Sequence, residues 1–101
     1  MRYKIIIEPE AQLDIEKAYL YYKDFVNLKT AKLFLKQCKI SFKALQMNPF
    51  YRIKIKDYRA LPLHKFPFLI FFQVIDQLKI VKIIAVFNTQ QHPIKYPNQA
   101  L

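Results

Sequence analysis

The chain has 101 residues, 53% hydrophobic and 16% aromatic, which suits one domain with its own core and excludes disorder as its native condition. Seventeen Lys and Arg against seven Asp and Glu give a formal net charge of +10, a balance that attracts a polyanion or an acidic protein partner. The sequence contains no glycine, which excludes Gly-rich nucleotide loops and leaves Asn, Asp and Pro to make helix stops and turns.

Arg2 to Ile7 is rich in isoleucine and alternates weakly, predicting a first strand. Glu8-Pro9-Glu10 then reads as a helix start, with proline in the first turn and carboxylates near the positive end of the helix dipole. Ala11, Ile15, Ala18, Tyr19 and Tyr22 recur at helical spacing and predict an apolar face, with Asp14, Glu16, Lys17 and Lys23 mostly elsewhere. The helix should end between Asp24 and Asn27. Asn27 can cap a second helix that runs to Met47 and stops at Asn48-Pro49. Its apolar stripe is Leu28, Ala31, Leu35, Cys38, Phe42 and Leu45, with Phe34 beside it. Lys29, Lys32, Lys36, Lys39 and Lys43 form a second stripe around the axis, read first as a solvated face.

Beyond Pro49 the period changes to two. Tyr51, Ile53 and Ile55 alternate with Arg52, Lys54 and Lys56, one apolar and one basic strand face. A turn at Asp57-Tyr58 leads into Arg59 to Leu63, where Pro62 argues for an edge or a bulge. Phe68 to Ile75 and Leu78 to Phe87 then pair across a tight turn at Asp76-Gln77. Their near-continuous hydrophobicity predicts central strands covered on both faces. The order β-α-α-β-β-β makes a single α+β domain over residues 1–101: an N-terminal strand, a two-helix hairpin, then a three-stranded antiparallel meander completing one curled sheet.

Several chemistries find no support in the residues. No His, Cys, Asp and Glu cluster has metal-ligand spacing, and no cofactor is expected. Cys38 sits on the apolar stripe and reads as a small buried hydrophobe; His64 reads as a loop residue. The most apolar stretch, Phe66 to Val86, is interrupted by Gln73, Asp76, Gln77, Lys79 and Lys82, so neither a membrane span nor membrane binding is expected, and the expected location is cytoplasmic.

Four motifs in one order carry a resemblance: the opening EPEAQLDIEKAYLYY, then Arg59-Ala60-Leu61-Pro62-Leu63, then Lys65-Phe66-Pro67-Phe68, and the closing Ala85-Val86-Phe87-Asn88-Thr89-Gln90-Gln91-His92-Pro93. Over nearly its whole length the chain resembles the RelE/ParE superfamily of bacterial type II toxins. That resemblance implies a growth inhibitor neutralised by a cognate antitoxin in a hetero-oligomer, acting either as a ribosome-dependent mRNA interferase or on DNA gyrase. It equally leaves room for a catalytically degenerate relative, and the charge alone for a small basic nucleic-acid-binding module.

Metal-independent RNA cleavage needs a base, cations on the phosphate and a proton donor for the leaving oxygen. On the resemblance, Lys54, Lys56, Arg59 and Lys65 are the candidate nucleic-acid contacts; the lysines of the strand equally suit a solvated polar face. The positions where the family keeps a histidine and an arginine hold Asn88 and Gln91, which neither transfer a proton near neutral pH nor carry positive charge. His92 and Tyr96 complete the catalytic candidates, with the alternative that both are polar residues of a C-terminal tail. Tyr51 and Tyr58 flank the basic strand and can stack on bases or pack in the core.

Overall fold

The computed structural model of the chain describes residues 2–50 and 54–90, without the side chains of Lys54 and Ile55. In chain order the elements are β1 (Lys4–Ile7), α1 (Pro9–Phe25), α2 (Leu28–Met47), β2 (Lys54–Ile55), β3 (Tyr58–Pro62), β4 (Phe68–Ile75), a 3₁₀ turn (Asp76–Leu78) and β5 (Ile80–Asn88). The sheet order is β1-β5-β4-β3-β2. The meander β3-β4-β5 is antiparallel, as expected, while β1 joins parallel to β5 and makes the open sheet mixed. The two-residue β2 extends the opposite edge, pairing Lys54 with Arg59 and Ile55 with Tyr58. Of the strand expected from Tyr51, residues 51–53 lie outside the described part.

Both helices start where the sequence places them. Pro9 occupies the first turn of α1 with Glu10 beside it, and the Val26 N–H closes the last turn on the Tyr22 carbonyl at 2.9 Å. Asn27 caps α2: its Oδ1 accepts the Thr30 N–H at 2.7 Å, satisfying one of the four donors that a helix start leaves unpaired. At the other end Asn48 Oδ1 accepts the Phe50 N–H at 3.1 Å, and Pro49 is buried. Ala31, Phe34, Cys38, Ser41 and Leu45 form the buried stripe of α2, whereas Leu28 is 47% exposed. No helix among the described residues is long and apolar enough to cross a membrane.

The helical hairpin covers one sheet face. There Phe34, Cys38 and Leu45 of α2 and Ala11 and Ala18 of α1 pack on Ile70, Phe72, Val81 and Ile83. Phe34 anchors a knot of rings, with centroids 5.6 Å from Tyr22, 5.5 Å from Phe66 and 5.2 Å from Phe68. β4 and β5 are central and carry apolar clusters on both faces, but the two clusters are unequal. The second face carries a smaller cluster of Ala60, Phe71 and Ala85, flanked by Tyr58, Leu69 and Phe87.

A bulge explains how β5 serves both faces. Phe71 pairs with Ala85 and Phe72 with Ile83, which leaves Ile84 without a partner on β4. Val81 and Ile83 before the bulge, and Val86 after it, all join the helix-side core, while Ala85 and Phe87 turn to the other cluster. One extra residue has inverted the alternation.

Three turns depart from expectation. The β4–β5 connection is longer than two residues: a 3₁₀ turn followed by Lys79 in the left-handed region at φ 53°. The β2–β3 turn falls at Lys56-Asp57, one residue early, with Lys56 at φ 55°. Lys65 takes φ 70° in the β3–β4 loop. In a chain without glycine, lysines hold these positions rather than Asn or Asp.

Candidate functional site

A deep groove follows from where β1 stops. Its register with β5 ends at Ile7 opposite Ile83, and the Glu8 N–H makes a bond to the Ile83 carbonyl at 3.0 Å before Pro9 begins α1. β5 runs on for five more residues, Ile84 to Asn88, with no strand pairing on that side among the described residues. α1 lies along this open edge, and a groove of about 970 Å³ separates the two, walled by Asp14, Ala18, Tyr21 and Tyr22 on one side and Ile84 to Asn88 on the other.

Asp14 links the walls. Its Oδ2 accepts the Val86 N–H at 2.9 Å, occupying a main-chain donor that a neighbouring strand would otherwise take. Burial pushes the Asp14 carboxyl above its ordinary value, and Glu10 adds to this, while the Val86 N–H and Lys17 act the other way. At the hairpin end of the groove, Tyr21 is 58% exposed and Val26 54%, and the still more exposed Phe25 stacks at 5.2 Å on Tyr21. Exposed aromatics beside an open strand edge suit a protein segment better than a small polar molecule.

The opposite end of the sheet holds a polar knot. Tyr3 Oη donates to Asp76 Oδ1 at 2.5 Å, and Lys79 Nζ reaches the same oxygen at 3.1 Å while lying 5.1 Å over the Tyr3 ring. These contacts hold the Asp76 carboxyl below its ordinary value and raise Tyr3 and Lys79. Arg59 belongs to this end: it is half-buried, with its guanidinium 5.4 Å from the Phe50 ring centroid.

The sequence-predicted residues are dispersed across this frame. Asn88 ends β5 opposite Phe68, its Oδ1 accepting the Gln90 N–H at 2.8 Å. Arg59 lies opposite Phe72, four residues along β4 from Phe68 and therefore about 13 Å away along the strand direction alone, with two strand spacings to add. Lys56, exposed in the β2–β3 turn, is three residues further still. Lys54 pairs with Arg59. Among the described candidates, only Lys65 shares the Asn88 end, exposed in the loop closed by the Leu63 N–H to the Phe68 carbonyl at 2.9 Å and the Thr89 N–H to the Pro67 carbonyl at 2.8 Å. A catalytic pair needs hydrogen-bond reach, about 3 Å, and Asn88 does not have it to Arg59 or Lys56. Gln91, His92 and Tyr96 lie outside the described residues.

Sequence reasoning missed the groove, yet a signal was present. Asp14 follows Ala11 by three residues and precedes Ala18 by four, so a carboxylate stands in line with the two most buried positions of α1. Among the described residues, no group of three His, Cys, Asp or Glu side chains is placed to hold a metal.

Comparison with known proteins agrees with this architecture. Residues 5–93 match the family model of the ParE toxin of the type II toxin–antitoxin system parDE. Against curated protein sequences no relative matches. Among solved structures, the chain is similar to one from the chromosomal ParDE system of P. aeruginosa, with TM-score 0.74 and 20% identity, covering 86% of this chain and 96% of that one. A mutant of the E. coli toxin RelE in the free state gives TM-score 0.64 at 18% identity, covering 89% and 86%. The RelBE2 toxin–antitoxin complex of Mycobacterium tuberculosis gives 0.62 at 12%, covering 87% and 99%. At such identities the likeness is one of fold, a two-helix hairpin on an open mixed sheet. With the family model matched from Ile5 to Pro93, the chain belongs to the ParE toxins of type II toxin–antitoxin systems, within the RelE/ParE superfamily.

Proposed function

We propose that this toxin is held inactive by a cognate antitoxin whose segment occupies the α1–β5 groove, and that it inhibits growth by binding its target, DNA gyrase, rather than by cleaving RNA. The observation that carries the first half is the aromatic-lined groove between α1 and the part of β5 that lies beyond the end of β1, where no described strand pairs with that edge. That solved relatives include ParDE and RelBE complexes supports a protein occupant. The second half rests on dispersion. Asn88 cannot transfer a proton, and Lys56 and Arg59 are strand-lengths from it. Binding to a protein target asks for surface, not for converging catalytic groups.

The test is induced expression with and without the protein encoded beside it. Induction alone should arrest growth, and the neighbouring protein should restore it. Tyr21→Ser with Val26→Ser, both at exposed positions of the groove wall, should leave the arrest intact while weakening the rescue. Loss of supercoiling with intact transcripts is the expected signature; transcripts cut within codons would instead point to a nuclease working through His92, Tyr96 or Lys65. Full rescue of the groove variant would place the antitoxin elsewhere.

A further inference from the structure

The groove leaves the outer face of α2 unexplained. Lys29, Lys32, Lys36, Lys39 and Lys43 advance in steps of three and four, so they form one row about 21 Å long at helical rise. All five are exposed, and neither ion pair among the described residues, Lys79–Asp76 or Lys82–Glu8, involves any of them. α2 contains no Asp or Glu.

Beside this row runs a second feature. Leu33, Ile40 and Met47 repeat every seven residues on the solvent side and are 36%, 48% and 66% exposed. With Gln37 and Ala44 interleaved, these residues follow the four-three spacing that keeps one seam of a helix facing a partner helix over several turns, with one of the two positions in each heptad apolar throughout. This stripe is separate from the one that faces the core, which consists of Ala31, Phe34, Cys38, Ser41 and Leu45. The helix is therefore amphipathic twice, and among the described residues only one of its apolar stripes packs into the core.

We infer that the outer face of α2 is a docking surface for an acidic amphipathic helix of a second protein partner, bound on a different face from the α1–β5 groove. Charge complementarity selects this occupant. A phosphate backbone would use the lysine row but leave Leu33, Ile40 and Met47 against water or phosphate. A second copy of the chain would offer the apolar repeat, but its α2 brings lysines and no carboxylate to meet lysines. An acidic helix with apolar residues at seven-residue spacing satisfies both: its seam covers Leu33, Ile40 and Met47, and its flanking carboxylates meet the lysines.

The inference stands apart from growth inhibition, so its test uses the purified chain. The probe is a labelled 21-residue peptide with leucine at every seventh position and glutamate on both flanks. Fluorescence anisotropy at physiological salt should give saturable one-to-one binding, weakened at least tenfold by Lys32→Glu/Lys36→Glu/Lys39→Glu and by Ile40→Asp. A glutamine version of the triple variant should lie between. Every change is at an exposed position, and thermal melting checks that the fold is kept. Three results would overturn the inference: a scrambled peptide of the same composition binding equally well, unchanged affinity in the variants, or lysine-dependent binding of duplex DNA or anionic phosphatidylglycerol vesicles at lower concentration than the peptide. Absence of growth arrest on induction would overturn the toxin reading alone and leave this measurement standing.

Discussion

Phe34 is the side chain on which the helix hairpin, the β3–β4 loop and the start of β4 converge. Its ring is fully buried, within 5.2 to 5.6 Å of the Phe68, Phe66 and Tyr22 ring centroids. Phe34→Ala removes the ring from a site whose neighbours are themselves rigid aromatics on three different segments, so the cavity has little means of collapsing. Buried Phe→Ala changes cost about 3–5 kcal/mol, against a total stability of about 5–15 kcal/mol for a domain of this size. At about 4–8 °C per kcal/mol, the melting temperature should fall by more than about 12 °C. Phe34→Leu, which keeps most of the volume, should lose about 1.5 kcal/mol. Equilibrium urea unfolding followed by circular dichroism measures both. The two variants losing the same amount, or a loss below about 1.5 kcal/mol for Phe34→Ala, would refute the argument, because the knot would then not be a close-packed unit.

Four other outcomes are expected. Asn27→Ala should cost about 1 kcal/mol in urea unfolding, since it leaves the Thr30 N–H without its cap. Lys56→Gly and Lys65→Gly should each gain up to about 1 kcal/mol, the left-handed strain relieved less the added entropy of the unfolded chain; a loss would mean that the lysine side chains hold the turns. Cys38 is 2% exposed and burial pushes its thiol up to about 12, so a disulfide reagent at pH 8 should label it only as the fold opens, in step with circular dichroism across a urea gradient. Burial raises Asp14 above 3.8, so the folded chain holds a proton that the unfolded one has released. Stability from this group therefore grows as pH falls toward 3.8, and the advantage of wild type over Asp14→Asn in urea midpoints should grow along with it. Asp76, held below 3.8, works in the opposite sense, adding stability above that pH and losing it as pH falls through its lowered value.

What was legible in the sequence was whatever local chemistry decides. The cap at Asn27, the proline start of α1, the stop at Asn48-Pro49 and the long apolar runs of β4 and β5 each lie within a few residues of their cause. What was illegible depended on registers between distant strands. The Ile84 bulge appears only as a slip between β4 and β5, since a run of Ile, Val and Phe hides any change of phase. The left-handed lysines were hidden because turns without glycine offer no compositional mark. The candidate cations looked close because they are close in sequence. Arg59 and Lys65 are six residues apart, yet β3 carries the chain from one end of the sheet to the other between them.

The shape of the groove can be traced to a single early proline. β1 is parallel to β5, so each further residue of β1 would cover more of the β5 edge. Pro9 ends that extension because it has no N–H for the ladder and its φ already suits a helix. The chain must then leave the sheet beside Ile83, and the direction of α1 lays it along the edge that β1 did not reach. That edge carries apolar strand residues from Ile84 to Val86, of the kind that invite self-association where nothing covers them. Asp14 answers one of its main-chain donors from within the chain, with a carboxylate that burial makes costly to keep charged. The same local decision that terminates the first strand thus opens the groove in which the proposed antitoxin segment is placed.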